Sequence, residues 1–113
     1  MPQEPLVVEI VAGHSPSIRI VRLIGPLNLP NIFTLQPELA RDRAPVTIFD
    51  LSGVPYMDSA GMGVIINYYV SAQGRGHKVI VAGASERVLE LFKLTRVDTL
   101  IPIVATVEEA DQP

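Results

Sequence analysis

Residues 45–73, PVTIFDLSGVPYMDSAGMGVIINYYVSAQ, constrain the fold more than any other stretch, because the apolar pattern there changes from that of a strand to that of a helix across one loop. Val46, Thr47, Ile48 and Phe49 are β-branched or aromatic and follow a proline, which predicts a short buried strand ending in Asp50. Ser52, Gly53 and Pro55 read as turn residues. Beyond them Met62, Ile65, Ile66 and Tyr69 recur at i, i+3, i+4 and i+7 and share one helical face. Asp58 and Ser59 stand where that helix begins, and either side chain can cap the orphan N–H groups of its first turn. Gly61 and Gly63 each weaken a helix by about 1 kcal/mol relative to alanine. Two explanations compete: close packing against a neighbour, or a bare backbone that lets another molecule approach Ser59.

The rest of the chain falls into place on either side. LVVEIV (6–11) and IRIVRLI (18–24) read as two strands joined through a turn at His14–Ser17, hence a hairpin. Apolar side chains point both ways along the second strand, as in a central strand, with Arg19 and Arg22 expected near its ends or on an open face. LNLPNIFTLQPELARD follows as a helix with Ile32, Leu35 and Leu39 inward, and Pro30 and Pro37 require it to be short, late-starting or broken near Pro37. After the central helix, Gly74–Lys78 carries a glycine cap with nearby cations, and VIVAG (79–83) is another buried strand. Ser85 caps a helix with Val88, Leu91 and Phe92 in its core stripe. TLIPIV (99–104) is a last strand, placed at an edge by Pro102. Thr106 caps a final turn, VEEA, before a tail, Asp111–Pro113, expected to fray. Helices recurring between strands imply parallel crossovers, so the expected class is α/β: one domain with a mixed four- to five-stranded sheet, an N-terminal hairpin and about four helices.

Composition narrows the chemistry. With 113 residues the chain holds one core, and with no cysteine it has neither disulfides nor thiolate metal sites. A net charge of −3 without a basic cluster argues against nucleic acid as a direct partner. The N-terminus lacks a basic n-region and no apolar run approaches membrane-spanning length, so no membrane insertion and a cytoplasmic location are expected. Hydrophobic residues make up 48% of so short a chain, so part of the surface is expected to be covered by a partner or by a second copy in a homodimer. Ser59 as a catalytic nucleophile lacks a Gly-x-Ser-x-Gly elbow, and only His14 and His77, both in turns, could serve as base. Asp50 and Asp58 could form an acid–base pair, but a strand end and a helix cap explain them separately. The expectation is a binding protein, not an enzyme, with no metal site and no cofactor.

Asp50-Leu51-Ser52-Gly53-Val54, followed by Tyr56-Met57-Asp58-Ser59-Ala60-Gly61-Met62-Gly63, resembles the signature of the STAS domain, in particular of the bacterial anti-sigma factor antagonists. The resemblance implies that Ser59, directly after the aspartate, is a phosphorylation site. It implies a partner surface of Asn28, Met57, Asp58, Ser59, Ala60, Met62 and Gly63. The partner would be an anti-sigma factor that is also a serine-protein kinase and brings its own ATP and Mg²⁺; a serine phosphatase would reverse the modification. Two positions depart from the family pattern. Asn28, in Gly25-Pro26-Leu27-Asn28, replaces an aspartate and removes a negative charge beside Ser59. Arg96, in Thr95-Arg96-Val97, replaces the glycine that takes a positive φ, at a cost of about 1 kcal/mol unless the cap differs. STAS domains also serve as subunits of lipid-transporting ABC systems or as scaffolds in sensory complexes, which is the alternative role.

Overall fold

The computed structural model describes residues 4–41 and 43–112. β1 (Val7–Ala12) and β2 (Ile18–Ile24) form the hairpin; a 3-10 turn (Leu29–Asn31) leads into α1 (Ile32–Arg41), then β3 (Val46–Gly53), α2 (Ser59–Gly74), β4 (Lys78–Ala82) and α3 (Glu86–Leu94). A second 3-10 turn (Val97–Thr99), β5 (Ile103–Val104) and α4 (Val107–Ala110) complete the chain. The strands lie in the order β1-β2-β3-β4-β5, with β1 antiparallel and the others parallel. This is the expected mixed α/β sheet.

Alternation along the strands divides the apolar residues between two faces. Val21, Leu23, Phe49, Leu51, Val79 and Val81 pack under Leu35 and Leu39 of α1, Ile65 and Tyr68 of α2, and Val88 and Phe92 of α3. Ile18, Ile20, Ile48 and Ala82 form a smaller cluster on the other face, capped by Val107 and Ala110 of α4. Because both faces of β2 and β3 are covered, their sequences are apolar in both directions.

Several elements differ from the sequence reading. β3 runs on through Ser52 and Gly53, which were expected in a turn; the pairing with β2 shifts register between Arg22 and Ile24, and Gly53 fits there because a Cβ would lie 2.8 Å from the Leu23 carbonyl oxygen. Pro37 sits inside α1 without breaking it. Pro37 and Phe33 are both exposed, so the carbonyl that loses its intrahelical donor lies on the wet side of the helix. Arg19 is buried: its Nη2 donates to the Tyr68 hydroxyl at 2.7 Å and its guanidinium lies 5.8 Å from the ring centroid. The last strand is two residues long, because Val97–Thr99 turns as a 3-10 helix before Pro102. The expected helix end at Asp42 and the fraying of Pro113 fall outside the described residues.

Asp111, by contrast, is tied down rather than frayed. The His14 N–H donates to both carboxylate oxygens at 3.0 Å, and His14 Nδ1 lies 2.6 Å from Oδ1. The hydrogen bond from the His14 backbone, followed by that from its ring, holds the Asp111 carboxyl below its ordinary value of 3.8. A carboxylate depressed by folding contributes stability above its unfolded pKa and loses it as the pH falls through the folded one. Acidification below about pH 4 should therefore release α4 from the hairpin, seen as faster exchange of the His14 amide; Asp111→Ala should produce the same exchange at neutral pH.

Arg96 adopts φ 61°, alone among the described non-glycine residues in the left-handed region. Its side chain makes no capping bond; its N–H donates to Lys93 O at 3.2 Å and its carbonyl accepts from the Thr99 N–H and hydroxyl at 3.1 and 2.6 Å, backbone bonds that glycine would keep without the Cβ strain. Arg96→Gly should raise stability by about 1 kcal/mol, read as a higher urea midpoint at unchanged slope.

Candidate functional site

β3 and α2 are joined by Val54–Asp58, and this loop is held by the backbone that leaves β2. Leu27 and Met57 form a parallel bridge; the Leu27 N–H donates to Tyr56 O at 3.1 Å and the Asp58 N–H to Leu27 O at 3.2 Å. Asp58, not Ser59, is the N-cap: its Oδ1 accepts from the Gly61 N–H at 2.9 Å, and its Oδ2 accepts from the Leu29 N–H, also at 2.9 Å. One carboxylate therefore fastens the start of α2 to the 3-10 turn before α1. This second role draws on a residue 29 positions away and could not be read from local sequence.

The two glycines divide the competing explanations between them. A Cβ on Gly61 would lie 2.1 Å from the Leu27 carbonyl oxygen, so this position requires glycine for close packing. A Cβ on Gly63 would meet nothing within 4 Å, so its backbone lies open.

Ser59 is the first residue of α2 and is exposed. Asn28, Asp58, Ala60 and Gly63 are partly exposed around the same loops. Met57 and Met62, expected on that surface, are core residues at 8% exposure each, and the Met62 sulfur takes a contact from the Thr95 hydroxyl at 3.3 Å. The periodic face expected on α2 is rotated in the structure: Met62 and Ile65 are buried as expected, and Ile66 and Tyr69 are only partly so. The buried side carries Val64, Ile65, Tyr68 and Ala72, while Ile66 and Tyr69 lie on its flank. α2 is apolar almost all round, so periodicity alone does not pick out its inward face.

Asn28 caps the 3-10 turn, its Oδ1 accepting from the Asn31 N–H at 3.2 Å, and its Nδ2 reaches the Tyr56 hydroxyl at 3.4 Å. The Arg87 guanidinium of α3 stands 5.4 Å from the Tyr56 ring centroid. Leu29 and Tyr56 are exposed apolar side chains bordering the capped helix start. Leu29, Tyr56 and Arg87 were missed by the sequence reading; only their solvent exposure, a property of the fold, marks them.

Catalytic readings find no support in this geometry. The two histidines are remote from Ser59: the His77 N–H donates to Ala72 O at the far end of α2, about 20 Å away at 1.5 Å per residue, and His14 is in the β1–β2 turn, bound to Asp111. Asp50 and Asp58 share no partner. Asp50 accepts from the Ser52 N–H and Oγ at 3.0 and 2.7 Å and from Arg22 Nε at 3.3 Å. Among the described residues neither histidine stands near Ser59, whose exposed hydroxyl is at the positive end of a 16-residue helix.

Comparison with known proteins places this arrangement. The anti-sigma-B factor antagonist of Listeria monocytogenes is 37% identical over 54 residues, which make up 48% of this chain and 47% of that protein, so the match spans about half the length of each. The crystal structure of an anti-sigma factor antagonist from Mycobacterium paratuberculosis superposes with a TM-score of 0.84 at 18% identity, over 93% of this chain and 90% of that one. The Bacillus cell fate determinant SpoIIAA in its phosphorylated form gives 0.72 at 17% identity, over 92% and 96%. At these identities the superpositions establish the fold alone. The family model of the STAS domain matches residues 9–110, nearly the whole chain, and with the hairpin, the parallel sheet and the capped serine turn already in place, the chain belongs to the STAS domain family.

Proposed function

We propose that this chain is an anti-sigma factor antagonist that works in the cytoplasm as a phosphorylation-switched binding protein. Unmodified, it captures an anti-sigma factor that is also a serine kinase and so frees a sigma factor; phosphorylation of Ser59 by that kinase ends the capture, and a serine phosphatase restores it. The observation that carries the reading is the exposure of Ser59 on a start of α2 that is pinned from behind by Leu27 and Asp58. A kinase needs a hydroxyl it can reach, and a switch needs a frame that does not collapse when charge is added. Asn28, Asp58, Ser59, Ala60 and Gly63 form the contact surface, with Met57 and Met62 supporting it from beneath. The unmodified serine and open Gly63 backbone allow a partner to cover the helix start without burying a new charge.

The Listeria relative supports the antagonist assignment by its name, over the half of the chain that it matches. The test is to incubate the purified chain with a serine-kinase anti-sigma factor, ATP and Mg²⁺ and to locate phosphate by mass spectrometry. One phosphate at Ser59, absent in Ser59→Ala, is the expected outcome; full modification of Ser59→Ala would remove the mechanism.

A further inference from the structure

We propose that β1 is a dimerisation strand, pairing antiparallel with β1 of a second copy about a two-fold axis through Ile10. β1 is the terminal strand of the sheet, and its neighbour β2 occupies one side of it only. The register Val7↔Ile24 to Ala12↔Arg19, continued by the Gly13 N–H donating to Ile18 O at 2.8 Å, turns the backbone groups of residues 7, 9, 11 and 13 toward β2. Those of Val8, Ile10 and Ala12 therefore point outward, as a row of donors and acceptors with no backbone partner among the described residues.

Free edges are ordinarily blunted by lysine, proline, a bulge or a covering element. β1 has none of the first three, its pairing with β2 runs without a register shift, and Val7, Ile10 and Val11 are 47%, 40% and 40% exposed. Its one charge, Glu9, is drawn toward Arg22 at 3.6 Å. Such an edge suits another extended backbone.

Self-complementarity identifies that backbone as a second copy. A two-fold axis perpendicular to the sheet must centre the pairing on one residue. Centring on Glu9 sets two carboxylates directly opposite each other, which is destabilising. Centring on Val8 runs into Leu6 and Pro5, and centring on Val11 sets Glu9 opposite Gly13 and Val8 opposite His14, in both cases outside the strand. Centring on Ile10 sets Glu9 opposite Val11 and Val8 opposite Ala12 of the second copy, and every outward N–H from Val8 to Ala12 meets an outward carbonyl. On the α1 side, Glu38 and Arg41 line a groove of about 270 Å³ with Val8 and Ile10, and the two-fold brings this plus–minus pair to its own complement. The pairing closes: it consumes β1 of both copies, and the opposite edge, β5, is only two residues long.

Sedimentation across the micromolar to millimolar range should show the mass rising from that of one chain toward that of two. Ile10→Lys, a substitution at an exposed site, should weaken association at least about tenfold by setting like charges on the axis, with the circular-dichroism spectrum unchanged. Val11→Lys should tighten it several-fold, because each lysine faces Glu9 of the other copy. The register has its own readout, since the chain has no cysteine. Ile10→Cys should oxidise to a disulfide dimer, the paired Cα atoms being about 5.5 Å apart, whereas Val8→Cys should not. A chain that stays monomeric into the millimolar range, dimers that survive Ile10→Lys, or cross-linking through Val8→Cys in place of Ile10→Cys would each overturn the proposal; a contact made by another protein would appear as the first of these.

Discussion

Gly61→Ala should lower the melting temperature by about 10 °C, while Gly63→Ala, two residues along the same helix, should raise it by a few degrees. Helix propensity favours alanine equally at both sites, by about 1 kcal/mol. Packing then separates them. At Gly63 the new methyl group meets nothing within 4 Å, so the propensity gain survives. At Gly61 it would stand 2.1 Å from Leu27 O and 2.8 Å from the Leu27 carbonyl carbon and Cγ. Leu27 is fully buried and cannot withdraw freely, because its N–H donates to Tyr56 and its carbonyl accepts from Asp58. Relieving the clash means giving up the hydrogen bond from Asp58 or displacing the helix, and overpacking of this kind costs about 1–3 kcal/mol, at times more. The steric term therefore exceeds the propensity gain. Thermal melts of the two variants share one helix and one reference state, so the difference between them isolates the contact. Equal melting temperatures would mean that α2 does not press on the chain leaving β2, and the account of the pinned helix start would fail.

The same pair of glycines shows what the sequence could and could not convey. That glycine was needed at a helix start was visible from its cost; which glycine served packing and which openness depended on Leu27, over thirty residues earlier in the chain. The hairpin, the helices and the parallel crossovers were legible because each strand or helix carries its own period and stop residues, and Asp58 was legible as one of two candidate caps. What failed was orientation. α2 is nearly apolar all round, so its inward side is set by α1 and β4 and not by its own pattern, and Met57 and Met62 were placed on the surface when they belong to the core. Arg19 lies next to the start of β2, one of the two places expected for it, but its burial was not legible, because the Tyr68 hydroxyl and ring that receive it in the interior come from α2. Ser52 and Gly53 looked like a turn because small residues usually mark one, whereas both continue β3 and the small size of Gly53 admits the backbone of β2.

Ser59→Glu should weaken binding of the anti-sigma factor by about 100-fold or more while leaving the fold intact, and Ser59→Ala should bind much as the unmodified protein does. A carboxylate at the first position of α2 faces the positive end of the helix dipole, worth about 0.3–1 kcal/mol in its favour, so the melting temperature should hold or rise slightly. Asp58 stands next to it, but both Asp58 oxygens are already engaged, by Gly61 and by Leu29, so the cap has no need to rearrange. Binding responds differently. A partner that covers the helix start must strip water from the new charge, and an unpaired buried charge costs about 3–5 kcal/mol, against 1.4 kcal/mol for each tenfold in affinity. Phosphate carries about −1.5 to −2 charges where glutamate carries −1, so phosphorylated Ser59 should bind more weakly still. Asn28 sharpens the contrast, since an aspartate there would leave the unmodified surface more negative and make the added charge a smaller proportional change. Calorimetric titration of the three forms against one anti-sigma factor, with melts run in parallel, separates lost binding from lost structure. Equal affinity for Ser59→Glu and the unmodified protein would show that the helix start is not where the partner sits.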